Sequence, residues 1–452
     1  MEVTRTLARY VIESRYADIP EKVRHEAARS FLNWVGCAVG ASRHATVECA
    51  LAALAGFSGP PQATVLGRGE RLDIMQAALM NGITSHTFDF DDTHLKTVIH
   101  PSGPVASAIL ALAEHQPVTG EDFLHAFILG IEAECRVGNA VYPEHYDVGW
   151  HITGTAGVFG AAAAAGKLLG LNEQQMVWAL GIAATQSSGL REMFGTMCKP
   201  FHPGNAARNG LLAALLAAKD FTSSNQGIEA KRGFANVLST RFDPTEITEK
   251  LGKTFELSLN TYKPFACGIV EHPAIDGCIQ LRNEHKLKAV DIESIALKVH
   301  PLVLELTGKK TPQTGLESKF SVYHSSAVAV IYGAAGEAEY GDKVVCDPQV
   351  IALRDRVTAA VEPGVHEDQV RVTIRLKDGR TLKKFVEHAI GSVDKPMSDA
   401  DLEAKFRGFA RGILSQAETD NLIRLCWGVA GLKDVGEVAR ASVPAVARAK
   451  PV

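Results

Sequence analysis

Histidine, lysine and aspartate are the residues of this chain that can move protons and hold anions, and they gather in five clusters. The densest runs from Ser85 to Pro104 and reads S-H-T-F-D-F-D-D-T-H-L-K-T-V-I-H-P-S-G-P. It puts Asp89, Asp91 and Asp92 beside His86, His94 and His100, with Thr93 and Thr97 between them. So much acid and imidazole at one helix junction is costly to bury without partners. A second cluster, His145-Tyr-Asp-Val-Gly-Trp-His151, precedes a small-residue helix. His151 is therefore expected at a helix N-terminus, which favours anions and a neutral imidazole. The third, Lys199-Pro-Phe-His202-Pro-Gly204-Asn205, reads as a Gly/Pro turn before another such helix. Free backbone amides and a lysine at that place make a carboxylate site. The fourth runs from Tyr262-Lys263 to His272 and the fifth from Lys319 to Tyr323-His324. Each alone also suits a solvated loop, a cap or a satisfied core side chain. Together they point to an enzyme site for an acidic, polyanionic substrate.

The elements that must position these residues are mostly helices. Val3, Leu7, Val11 and Ile12 recur at helical spacing, as do Val23, Ala27, Phe31, Trp34, Val35 and Val39. Thr119, Asn172 and Ser398 each stand ahead of acidic or amide residues as helix N-caps do. Runs such as Ala161–Gly166 and Ala213–Ala218 allow close helix–helix approach. No convincing alternating strand is read before about residue 220. Alternation begins with Ile295, Leu297 and Val299 and returns with Val370, Val372, Ile374 and Leu376. Asp378-Gly379 then marks a hairpin into Leu382–Val386. The stretches Ser325–Ala334 and Pro348–Ala360 between them read as helical. The expected architecture is mainly α. A large helical domain, 1–265, is completed by 397–452 packing back; a smaller α+β lid domain spans 266–396, and the active site lies in the cleft between them.

Composition narrows the function. The 452 residues are 46% hydrophobic and 22% charged, with a net charge of −4, an ordinary globular balance. There is no basic tail and no basic stripe with interleaved aromatics, so nucleic acid is not an expected partner. No apolar run reaches membrane-spanning length. None of the eight cysteines forms a C-x-x-C pair, which speaks against a zinc ribbon and against a cysteine-ligated cluster. Cysteines set in apolar helical runs fit a reducing, cytoplasmic compartment. No Rossmann glycine fingerprint, P-loop, H-E-x-x-H or nucleophile elbow stands out with the right flanks.

The clusters taken together resemble the MmgE/PrpD family. The resemblance rests on D-F-D-D-T-H…H-P-S-G at 89–103, G-W-H-x-T at 149–153 and G-A-A-A-A-A-G-K-L-L-G-L at 160–171. It continues through K-P-F-H-P-G-N-A-A at 199–207, Y-K-P-F-A-C…H-P-A-I-D at 262–276 and K-F-S-V-Y at 319–323. The resemblance implies a homodimer, no metal or organic cofactor, and a lyase for a di- or tricarboxylic acid. It implies a catalytic set of His100, His151, Lys199, Lys263 and Tyr323. Asp89 and Thr93 would bind or orient the substrate, with His202 and His272 as further contacts. Dehydration of 2-methylcitrate is the first expected activity, with an epimerase of a substituted succinate such as iminodisuccinate second and cis-aconitate decarboxylation third. The decarboxylases are expected to carry a histidine shortly after the lysine of the fourth cluster, where this chain has Ala266-Cys267. A His/Asp-rich ligand- or metal-binding protein is the non-enzymatic alternative, though no metal-ligand spacing supports it.

Overall fold

The computed structural model describes residues 2–445; 446–452, the end of the segment expected to pack back, lie outside the described residues. The body of the chain is a stack of buried helices. They are α1 (Glu21–Ala41), α2 (Ile74–His86), α3 (Ser102–His115), α4 (Gly120–Val141), α5 (Ile152–Leu168) and α6 (Cys198–Ala217). Their ends are set locally. Asp73 accepts from the amides of Met75 and Gln76 to start α2, and Thr119 accepts from Asp122 to start α4. The third cluster is not a turn but the first turns of α6, which runs through Pro200 and Pro203. Pro200 is tolerated because the amide it lacks would be unpaired in a first turn anyway, whereas Pro203 lies inside the helix and removes one ladder bond.

Small residues let α2 and α6 cross backbone to backbone. A Cβ on Gly204 would stand 2.4 Å from the Leu79 carbonyl, and one on Gly82 would stand 2.5 Å from the Gly204 Cα. The crossing brings the last residue of α2, His86, to the second residue of α6, Lys199. Replacing Gly204 by alanine should therefore cost about 1–3 kcal/mol through overpacking and weaken activity by spreading these two side chains. Thermal unfolding together with turnover of the folded variant checks both effects.

A second core forms between α7 (His272–His285), α8 (Val322–Tyr332) and a four-stranded sheet. The strands are β1 (Ile292–Val299), β2 (Val357–Val361), β3 (Val370–Leu376) and β4 (Thr381–Val386), in the order β2-β1-β3-β4. β1 pairs with β2 in parallel and with β3 antiparallel, with Leu297 opposite Val372. In β3 the residues Val370, Val372, Ile374 and Leu376 are buried while Arg371 and Arg375 are exposed, as the alternation predicts. One stretch differs from expectation. The helix from Pro348 stops at Arg354, and Val357–Val361 is the edge strand β2. Its Val-Thr-Ala-Ala-Val run is too short to show a period, and pairing with β1 decides its state.

The chain then returns to the first core. α9 (Asp399–Ala410) and α10 (Gln416–Trp427) each start from a serine capping box, at Ser398 and Ser415. The Phe406 ring packs on Gly36 of α1, where a Cβ would meet it at 2.8 Å. Short strands were not expected in the helical part, yet Thr93–His94 pairs antiparallel with Asn260–Thr261. Two residues carry no visible alternation, but this pair ties the first cluster to the segment that bears Lys263. Among the described residues no helix is long and apolar enough to cross a membrane.

Candidate active site

Asp89 is the hub of the first cluster. It lies just past the end of α2 with φ of 50°, in the left-handed region that costs a side-chain-bearing residue energy. Its Oδ1 sits 2.7 Å from Lys263 Nζ, 3.0 Å from Lys199 Nζ and 4.0 Å from His100 Nε2. Burial alone would raise this carboxyl, but Lys199 and Lys263 hold it well below the usual carboxylate range. Burial in turn lowers Lys199, against the pull of Asp89. Two ammonium groups meeting on one buried carboxylate oxygen leave a net positive face, which suits a second carboxylate from outside.

The histidines around this hub have assignable tautomers. His86 Nδ1 is 2.7 Å from Asp91 Oδ2, so Nδ1 carries the proton. Its Nε2 then accepts from Lys199 Nζ at 3.0 Å, completing an Asp91–His86–Lys199 chain. His100 Nδ1 faces the Asp92 carbonyl at 2.9 Å and Asp91 Oδ1 at 3.4 Å. Both can only accept, so Nδ1 bears the hydrogen and Nε2 presents a lone pair on the Asp89 side. Burial lowers both rings, His100 well below the usual imidazole value, so each is a neutral base near pH 7. His151 stands at the N-cap position of α5 without a side-chain bond to the helix, and its Nδ1 lies 2.8 Å from His202 Nδ1. Burial and the His202 ring hold His151 well below its ordinary value, and burial pushes His202 down to about 4. One ring of this neutral pair must donate to the other, so a proton shift in one sets the tautomer of its neighbour.

Asp89, His100, His151, Lys199 and Lys263 line one narrow cleft. The rest of its lining is largely apolar and includes Val98, Ile269, Val270, Leu306 and Phe320. The expected residues divide accordingly. Thr93 stands behind His100, 3.4 Å from its Nδ1, and His202 stands behind His151. His272 lines an adjoining, larger cavity instead. Tyr323 does not line the cleft. It sits in the first turn of α8, its ring 5.8 Å from Lys310 Nζ, while Phe320 on the turn before reaches the cleft wall.

Sequence reasoning missed His86 and Asp91 as a working pair, although both lie in the densest cluster. It also missed Lys319 and Lys405, whose Nζ atoms bind backbone carbonyls of the turns that carry Asp89 and Lys263. Lys405 left a usable signal. It falls between Leu402 and Phe406, the buried positions of α9, where a lysine has no reason to be unless it has partners.

His86, Asp89, Asp91 and His100 also place ligand-type atoms within 4.8 Å of one another. Lys199 and Lys263 already supply Asp89 with the positive charge that a cation would bring.

Known proteins share most of this chain's length. The MmgE/PrpD N-terminal domain matches residues 5–247 and the MmgE/PrpD C-terminal domain matches 265–428. A cis-aconitate decarboxylase of Aspergillus terreus is 27% identical over 96% of this chain and 94% of its own. A cis-aconitate decarboxylase of Homo sapiens is 29% identical over 84% of this chain and 81% of its own. A 2-methylcitrate dehydratase of Cupriavidus necator is 25% identical over 86% and 85%.

Proposed function

We propose, since this chain belongs to the MmgE/PrpD family, that it is a lyase for a tricarboxylic acid and moves a proton at a carbon next to a carboxylate. The observation that carries this reading is the Asp89 hub: two ammonium groups on one oxygen, faced by the basic Nε2 of His100. A substrate carboxylate would pair with the positive face of Lys199 and Lys263. His100 Nε2 would take the proton, and the lysines would stabilise the negative charge that develops. His151, backed by His202, would return a proton to the leaving group or to carbon. These side chains supply the acid, the base and the charge themselves. We place the helical domain at 1–265 with 397–452 and the lid at 266–396, and we expect a pair of chains in solution and a cytoplasmic location; light scattering checks the pairing.

Dehydration of 2-methylcitrate uses every one of these parts. Decarboxylation of cis-aconitate is the second reading, and the apolar lining favours it. A carboxylate leaving as neutral carbon dioxide is helped by an apolar surface, and the Aspergillus terreus decarboxylase matches 96% of this chain against 86% for the dehydratase. The purified, metal-free protein should be mixed with 2-methylcitrate, cis-aconitate and iminodisuccinate in deuterated water and followed by NMR. Loss of water from the first supports dehydration, and loss of carbon dioxide from the second supports decarboxylation. Deuterium entering the third without elimination would replace both with an epimerase, and silence with all three would overturn the tricarboxylate reading.

A further inference from the structure

Three consecutive carbonyls, those of Phe88, Asp89 and Phe90, each accept from a different lysine. Lys319 Nζ reaches the Phe88 oxygen at 2.9 Å, Lys263 Nζ the Asp89 oxygen at 2.9 Å and Lys405 Nζ the Phe90 oxygen at 2.7 Å. The same three ammonium groups reach across to one other segment. Lys405 donates to the Lys263 carbonyl at 2.9 Å, Lys319 to that of Ala266 at 2.9 Å and Lys263 to that of Cys267 at 3.1 Å. Each spends its third hydrogen on a side-chain oxygen: Asn33 Oδ1 at 2.8 Å for Lys405, Glu337 Oε2 at 2.6 Å for Lys319 and Asp89 Oδ1 at 2.7 Å for Lys263. Every donor of the three groups is thus used, which is the condition for keeping an ammonium out of water.

We propose that Lys319 and Lys405 are positioning residues that staple the Phe88–Phe90 turn to the Lys263–Cys267 segment and so fix Asp89 against Lys263. Neither lines the cleft, so they act through those two residues. The need for a staple is visible in the backbone. Asp89 is held at φ of 50°, a conformation that persists only where its surroundings over-determine it. The staple's ends come from distant parts of the chain: Lys319 precedes α8 in the second core, and Lys405 lies on α9. Aromatic rings wall both. Lys405 Nζ stands 4.2 Å from the Phe90 ring centre, and Lys319 Nζ stands 5.1 Å from that of Tyr340. The lid side and the C-terminal helix therefore both reach the active site through one bond type, ammonium to carbonyl. Loss of either lysine frees the turn without touching a cleft residue.

The kinetic part of the test rests on the lyase reading and the exchange part does not. Lys405→Met and Lys319→Met keep the aliphatic stem and remove the donors. In each, amide hydrogen exchange over 87–93 and 262–268 should quicken at least tenfold, with the helices of the first core exchanging as in the parent protein. On whichever of 2-methylcitrate or cis-aconitate the parent protein converts, kcat should fall tenfold to a hundredfold with KM nearly unmoved. In an Asp89→Asn background the same changes should cost less than twofold, because the residue they position is already disabled. Exchange unchanged in both segments, or losses that multiply undiminished in the Asp89→Asn background, would overturn the proposal. If one methionine variant fails to fold, the other carries the test. A parent protein that converts neither acid would remove the lyase reading and leave the exchange result to decide the staple.

Discussion

Lys199→Ala should lose about a thousandfold or more in kcat/KM, at the upper end of what removing one charge-stabilising donor does, while the protein stays folded. The size follows from how many roles one ammonium fills. Lys199 Nζ is 3.0 Å from Asp89 Oδ1 and 3.0 Å from His86 Nε2, and it lies 5.2 Å and 5.4 Å from the Phe194 and Phe320 ring centres. Alanine removes half of the positive face that would hold a substrate carboxylate. It also cuts the Asp91–His86 pair off from the cleft. Stability should move much less. Deleting a buried charge relieves its desolvation, and Asp89 keeps Lys263 at 2.7 Å. Arginine should not restore activity, because its planar fork cannot stand where a compact ammonium sits 3.0 Å from two partners. Steady-state kinetics with a thermal melt on both variants checks this. Activity near that of the parent protein would remove Lys199 from the mechanism.

The parts of the site legible in the sequence were those where residue type carries the chemistry. Asp89, His100, His151, Lys199 and Lys263 come from four separate clusters across more than 170 residues and meet in one cleft. The helices that bring them there were legible too, because buried apolar stripes and caps at Thr119, Asn172 and Ser398 mark them directly. What stayed hidden was of another kind. The acceptors of Lys319 and Lys405 are backbone carbonyls, which every residue has, so no residue type announces them. Tyr323 and Phe320 lie only three residues apart, one in the first turn of α8 and the other on the turn before it, and the packing of α8 against the sheet decides which of them reaches the cleft. The short pairing of Thr93 with Thr261 is a tertiary contact and has no local pattern to read.

His100→Gln should lower kcat by about a hundredfold to ten-thousandfold, the span a general acid–base group contributes, and it should change the pH profile in a way that identifies the role. In the parent protein the base form of His100 must be unprotonated, with Nδ1–H fixed on the Asp92 carbonyl and Nε2 free. Burial chiefly, with Lys263 on the same side and Asp91 opposing, holds the ring well below its ordinary value of 6.5. A base with a depressed value keeps its lone pair to lower pH. The acid limb of kcat/KM should therefore lie below pH 6.5, with activity lost only as pH falls through the depressed value. Asp91→Asn removes the one large influence that raises His100, so it should move that limb further toward acid whatever it does to the rate. Glutamine at position 100 should abolish the limb and leave a flat, low profile. A limb that stays in place in His100→Gln would give the base's role to His151, whose ring is also held well below its ordinary value by burial and by His202. The same measurement on His202→Ala would then locate it, because removing the neighbouring ring takes away the second of those causes and moves the limb back toward neutrality.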